Sequence, residues 1–422
     1  MSHEAMISVL IFVAVMVVII TEKVHRAVVA VGGAVILLIL GILNIEEGIG
    51  YIDANTIGLL VGMMLFVGVV KNSGMFEYLA VKSAKISKGD PWKMMILFMV
   101  ITAVFSALLD NVTTVLLVGP MMLAICKEMN LNPVPYIMTS IMASNIGGTA
   151  TLIGDPPNIM IGSATGYTFG DFILNDCVII IPIMVATVFF FKFIYGNKLC
   201  ATPEAMESVM HMDERTMIKD AVLLKKAVVM IVLIVAGFAL HGILDLESSM
   251  IALAGAVIMI IIGKQDVEKV ILDVEWPTII FFTALFICVG AMEHTGVIDL
   301  MADGIMKFTD GKPVMTMMII LWVSALLSST LDNIPFVATM IPLIQAMGAE
   351  GMDTNPLWWA LSLGACLGGN GTLIGASANV VLTGISAKNG HPITYIEFLK
   401  IGFPTMILSL IICTAYMLIR YA

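Results

Sequence analysis

Charge is scarce in this chain. Only 12% of its 422 residues are Asp, Glu, Lys or Arg, about half the ~25% of a soluble globular domain. It has no basic tract or stripe, which argues against nucleic acid as a partner. The six cysteines (Cys126, Cys177, Cys200, Cys288, Cys366 and Cys413) form no CxxC pair and have no histidine at metal-ligand spacing, so they read as small apolar packers. HExxH, GxSxG and an ATP-binding loop are all missing, and an enzyme is therefore not expected. The first segment lacks a basic n-region and a small-x-small cleavage site, so it reads as a retained span.

What the chain has is apolar length. Hydrophobic residues make up 59%, with runs at 6–20, 27–43, 177–191, 227–240 and 401–419. Each approaches the ~20 residues a helix needs to cross a ~30 Å hydrocarbon core. None alternates with the period of two that a membrane barrel shows. The expected class is an all-α polytopic membrane protein surrounded by lipid.

The chain also repeats itself. GGAV at 32–35 returns as AGAV at 254–257, and LDN at 109–111 as LDN at 331–333, both 222 residues on. TLIG at 151–154 returns at 372–375 and Asn158 as Asn379, both 221 residues on. Repeats in one order at one offset indicate an internal duplication. Its halves are expected at 1–195 and 227–422, joined by a cytoplasmic linker at 196–226. Ten spans are expected, at about 6–22, 27–43, 57–70, 135–165, 177–195, 227–244, 249–263, 277–291, 357–384 and 401–419. Two helical hairpins lie between them, at 94–126 and 314–343. With loop 23–26 inside, all basic residues but Lys307, Lys312 and Arg420 fall on the cytoplasmic side, as the positive-inside rule requires. Both termini then face out. Five crossings separate each element from its copy, which turns the second half upside down, the plan of inverted repeats. A limb such as 94–109 is roughly 24 Å of helix against a ~30 Å core, so both hairpins are expected to be re-entrant.

Four polar stretches interrupt the apolar pattern. The hairpin tips carry LDNVTT (Leu109 to Thr114) and SSTLDNIP (Ser328 to Pro335). A carboxylate at mid-membrane costs about 2.5–3.5 kcal/mol on insertion scales, so Asp110 and Asp332 should face protein, ion or water. With Asn111, Thr113 and Asn333 they offer the oxygen ligands that hard cations such as sodium take, or a carboxylate for a proton. The spans 135–165 and 357–384 contain SNIGGTATLIGDPPN (Ser144 to Asn158) and LGGNGTLIGASAN (Leu367 to Asn379). Their glycines and the Pro156–Pro157 pair should split each span into half-helices around an unwound stretch. Such breaks at matching points of two halves point to a transport site. The candidate residues there are Ser144, Asn145, Gly147, Thr149, Thr151, Asp155 and Asn158, then Gly368, Asn370, Thr372 and Asn379. The competing readings are helix caps for the two aspartates and close helix packing for the glycines. Glu46, Glu47, Asp53, Asp171 and Asp176 read as solvated loop residues. Cys366 reads as a packer beside the second break, and 213–226 as an amphipathic surface helix joining the halves.

The paired LDN tips and the SNIGGTATLIGDPPNIMIG stretch resemble the ion transporter superfamily over essentially the whole chain. Within it they resemble the branch with a citrate-transporter-like domain that holds arsenite-efflux permeases, sodium–proton antiporters, silicic-acid exporters and P-proteins. The tips depart from the Ser-Asn-Thr pattern of the sodium–dicarboxylate branch, which argues against citrate or succinate as substrate. The resemblance implies a scaffold and an elevator-type transport domain, a homodimer, and residence in the plasma (inner) membrane. It places one ion site among Asp110, Asn111, Thr113, Ser144, Asn145, Gly147 and Thr149. A second falls among Asp332, Asn333, Gly368, Asn370 and Thr372. Sodium would then sit at Asp110, Asn111 and Asn145, and at Asp332, Asn333 and Asn370; no other cofactor is implied. Asp155 has Ala376 at its mirror position. The expected function is an ion-coupled exporter, driven by protons or sodium, of a small hydroxylated or anionic species such as arsenite. A sodium–proton antiporter is the alternative.

Overall fold

The computed structural model describes residues 2–21, 23–196 and 198–422. The first half contains α1 (His3–Ile20), α2 (Arg26–Ile39), α3 (Ile45–Gly50), α4 (Ala54–Val70), α5 (Met75–Ile86), α6 (Pro91–Leu108), α7 (Asn111–Glu128), α8 (Val134–Gly148) and α9 (Pro156–Thr165). It ends with α10 (Phe169–Phe172), a π-turn over Ile173–Cys177, and α11 (Val178–Tyr195). α12 (Pro203–His211) lies in the connection. The second half contains α13 (Ala221–Leu244), α14 (Ser248–Gly263), α15 (Val267–Leu272), α16 (Trp276–His294), α17 (Val297–Thr309), α18 (Pro313–Ser328), α19 (Asn333–Ala349), α20 (Asn355–Gly368), α21 (Ser377–Lys388) and α22 (Tyr395–Tyr421).

The two halves carry corresponding helices in the same order, except that α10, the π-turn and α11 stand where the second half has the single helix α22. Their packing also maps onto itself when the halves are exchanged: α2 lies along α16 as α14 lies along α4, and α6 along α8 as α18 along α20. Residues that begin helices recur at the starts. Asp53 caps α4, Asp90 caps α6 with Pro91 behind it, and capping boxes open α10 (Thr168, Asp171) and α22 (Thr394, Glu397). Each satisfies backbone N–H groups that a helix start leaves unpaired.

Among the described residues, eight helical stretches are long and apolar enough to cross a membrane. Six belong to the ten expected spans. The other two are α6 and α7, the limbs of the first hairpin, which are 18 residues each. At ~27 Å they are longer than α2, at 14 residues, so limb length does not mark the hairpin as re-entrant. At its tip Asp110 and Asn111 are almost completely covered, and Asn111 touches the broken span beside it. The hairpins run slightly beyond their expected bounds, at 91–128 and 313–349.

The breaks fall where expected, between Gly148 and Pro156 and between Gly368 and Ser377. Pro156 and Pro157 open α9, where a missing N–H is harmless. Two details of the linker differ. It ends at Asp220, because α13 starts at Ala221 and takes Ala221 to Lys226 into the first long helix of the second half. The stretch 213–226 is therefore a short 3-10 turn (Glu214–Met217) followed by a helix start, with no surface helix of its own.

Candidate transport site

Unwinding a span frees backbone carbonyls where lipid offers no water to satisfy them. Both breaks are sewn by an asparagine. Asn158 donates from Nδ2 to the carbonyls of Thr149 and Thr151, each at 3.0 Å. Asn379 donates to those of Gly369 (2.7 Å) and Thr372 (2.9 Å). The threonine of each TLIG then ties the break to the neighbouring hairpin: Thr151 donates to the Ala107 carbonyl at 2.5 Å, and Thr372 to the equivalent Ser329 carbonyl. Thr149 Oγ1 donates back to the Asn145 carbonyl at 2.7 Å. Gly147 and Gly368 admit hairpin backbone: a Cβ would lie 2.2 Å from the Ala103 carbonyl oxygen and 2.6 Å from that of Ala325. These two glycines are packing positions.

Between the breaks the halves meet through amides. Asn145 donates from Nδ2 to the side-chain oxygens of Asn370 and Asn379, both at 2.9 Å, and accepts from Asn111 at 3.4 Å. Ser144 reaches Ser106 and the Asn111 carbonyl, each at 3.2 Å. At the offset of 221 the counterpart of Asn145 is Cys366, whose thiol points at Asn158 (3.4 Å).

The carboxylates are held differently. Asp110 caps α7 and takes both the backbone N–H (2.8 Å) and the hydroxyl (2.5 Å) of Thr113. Asp155 is fully buried, with Oδ1 accepting from Asn333 (3.1 Å) and Oδ2 without a hydrogen-bond partner among the described residues. Asp332 is ion-paired to Arg26 and accepts from Ser377 at 3.0 Å. Arg26 also reaches Ser377 (2.7 Å) and Thr278 (3.3 Å) and lies over the Phe281 ring. A cavity of ≈ 20 Å³, large enough for about one water-sized body, is lined by Asp110, Asn111, Asp155, Asn333, Glu275 and Arg26 among others.

Of the first expected sodium set, Asn111 meets Asn145 at 3.4 Å, while both oxygens of Asp110 turn to Thr113. Asp332, Asn333 and Asn370, the second set, part ways: Asp332 turns to Arg26, Asn333 to Asp155, and Asn370 to Asn145. Arg26 was expected as a loop charge, and Asp176 as a solvated loop residue. The structure brings Arg26 to the site and buries Asp176 completely. One sequence signal pointed to Arg26. Where Asp110 has Thr113 three residues on, Asp332 has Pro335, which has neither N–H nor hydroxyl to offer.

The two hairpin tips differ in their surroundings. A cleft of ≈ 350 Å³ reaches Arg26, Asp332 and Ser377 past Thr330, Leu331 and Ile374. The equivalent positions in the first half, Leu108, Leu109 and Ile153, line an apolar pocket of ≈ 80 Å³ together with Phe76 and Phe105.

Buried polar breaks facing two hairpin tips, in an all-helical chain with membrane-length apolar helices, define a membrane transporter. A family model described as citrate transporter (CitMHS) matches residues 16–364. The chain belongs to that family. An uncharacterized transporter of Mycobacterium tuberculosis is 41% identical over 426 residues, covering 99% of each chain. The human P protein is 31% identical over 488 residues, covering 96% of this chain and 58% of that protein. The crystal structure of the YdaH transporter of Alcanivorax borkumensis, described as having an unusual topology, shares the fold. Its TM-score is 0.59 at 14% identity, covering 88% of this chain and 86% of that one.

Proposed function

We propose that this protein is a cation-coupled secondary transporter that exports a small hydroxylated or anionic species, arsenite-like, against protons or sodium. The observation that carries this reading is the charge balance of the central cavity. Asp110, Asp155 and Glu275 line it with a single cation, Arg26, which is already engaged by Asp332. Such a site favours a proton or a hard cation as the coupling species. The exchangeable position is assigned to Asp110 and Asp155, where Asp155 Oδ2 is free to take the ion.

The hydroxyls and amides around it suit a neutral polyol-like solute, which needs no cationic partner. Citrate, named in the family description, would meet these carboxylates with one guanidinium already bound, and would have to arrive with cations. Arg26 and Thr278 lie on the α2–α16 side, while Asp332 and Ser377 lie on the hairpin and broken helix. An elevator-type movement of the second group against the first would have to break that link. Coupling follows only if the ion binds one state better than the other.

The same charge balance fits a sodium–proton antiporter, in which Asp110 and Asp155 exchange the two cations directly. The discriminating experiment is reconstitution in liposomes bearing a pH gradient. Arsenite flux driven by that gradient supports the exporter. Sodium-evoked proton movement without arsenite flux selects the antiporter. Absence of both rejects the proposal.

A further inference from the structure

One buried carboxylate takes no part in the site above. Asp176 lies in the π-turn between α10 and α11 and is fully buried. Single π-turns recur at functional positions. Counted from the two capping boxes, its counterpart in the uninterrupted α22 is Gly402, so the second half has neither the turn nor the acid. Asp176 Oδ2 lies 2.5 Å from the Ser362 hydroxyl, and Oδ1 has no hydrogen-bond partner among the described residues. The same hydroxyl lies 2.6 Å from Asn158 Oδ1.

Counting protons decides the state of this group. The Asn158 amide is oriented by its two donations to the Thr149 and Thr151 carbonyls, which can only accept. Its Oδ1 is therefore the atom facing Ser362, and it too only accepts. A serine hydroxyl has one proton, while both short O···O contacts need one. If Ser362 donates to Asn158, the contact with Asp176 is filled only by a proton on Asp176 itself. If Ser362 donates to an ionised Asp176, two oxygens with no proton between them face each other at 2.6 Å. The Cys366 thiol, 3.4 Å from Asn158 Oδ1, does not relieve that contact.

The surroundings agree. The titratable groups around Asp176 are Cys177 on its own turn, Cys366 on α20, and Cys413, Tyr416, Arg420 and Tyr421 on α22. Asp171 on α10 is occupied in its capping box. Arg420, the one cation among them, bonds the Leu174 carbonyl (3.0 Å) and the Tyr416 hydroxyl (2.8 Å), not Asp176. A fully buried carboxylate without a bonded cation neutralises itself by taking a proton.

We infer that Asp176 is a proton-binding site, occupied in this conformation and linked through Ser362 and Asn158 to the first break. Losing the proton obliges Ser362 to turn its only donor from Asn158 to Asp176. The asparagine that sews Thr149 and Thr151 then loses its hydroxyl donor, so proton occupancy at Asp176 is tied to the geometry of the break. This goes beyond the proposed transport reaction and holds whichever ion drives it.

Infrared spectroscopy of the purified protein at neutral pH tests the inference without any transport assay. The wild-type minus D176N difference should show loss of a protonated carboxyl C=O stretch that shifts in deuterated water, with an unchanged melting temperature. In S362A the carboxyl remains but loses its partner, so the same band should move to higher frequency. Loss of a carboxylate band in D176N, or an unmoved band in S362A, overturns the inference. If D176N does not fold, S362A alone decides. A transporter with different coupling would leave both readouts as stated.

Discussion

The two hairpin tips carry the same Leu-Asp-Asn triplet and solve the same problem by opposite means. In the first, Asp110 is satisfied within three residues, by the N–H and hydroxyl of Thr113. In the second, Pro335 stands where Thr113 does, and Asp332 makes no cap bond. One oxygen of its carboxylate, Oδ2, is instead held by Arg26, 306 residues away, and by Ser377, while Oδ1 has no hydrogen-bond partner among the described residues. The repeat equivalents of Arg26 and Ser377 are Ser248, in the second half, and Pro156, in the first. Matching triplets at matching helix starts thus hold unlike electrostatics: one tip bonded locally, the other by a bond between helix groups. The surroundings differ in the same way: Asp332 lines a wide cleft, whereas Asp110 lines only the small central cavity.

The largest effect should come from removing the long-range partner. R26A leaves Asp332 without its cation. A fully buried pair broken this way loses about 3–5 kcal/mol, and this one, partly exposed at 24% and 11%, should lose roughly 2 kcal/mol. Thermal unfolding in detergent reads the loss, and R26A/D332N should recover most of it. If R26A unfolds like wild type, the ion pair is not what holds the second tip.

The sewing asparagines come next. N158A and N379A each remove two donations to break carbonyls. About 1 kcal/mol per bond predicts a loss of roughly 2 kcal/mol in each variant. Equal losses would show that the halves share this device, whereas a loss in one only would confine it to that break.

Smaller still is the local cap. T113V removes the hydroxyl but keeps the N–H, and should cost about 1 kcal/mol. P335T supplies the second tip with the donors of the first. In that background R26A should cost less than in wild type, by up to about 1 kcal/mol. An unchanged cost would mean that Pro335 is not why Asp332 needs Arg26.

Much of this was legible in the sequence. The duplication, the hairpins and both breaks follow from apolar length and the repeated LDN and TLIG motifs, because those features act locally. The roles of Asn158 and Asn379 were visible only as position. That they sew carbonyls, and that Gly147 and Gly368 admit a neighbouring backbone, depends on helices approaching from elsewhere. Arg26 and Asp176 were misplaced for a related reason. Both sit beside loops, where a charge reads as solvated, and only packing against the other half reveals their burial. The Thr113-to-Pro335 change was the local trace of the first. The second left none.

The most direct test compares cation coupling in D155N with that in R26Q/D332N, both in liposomes under a pH gradient. With the exchangeable ion at Asp110 and Asp155, D155N should reduce coupled flux by at least ~tenfold, the equivalent of about 1.4 kcal/mol. The R26Q/D332N pair, which loses one charge of each sign, should slow transport yet keep its ion dependence. Full coupling in D155N, or ion dependence abolished only in the charge-neutral pair, would place the ion at the second tip and contradict the account.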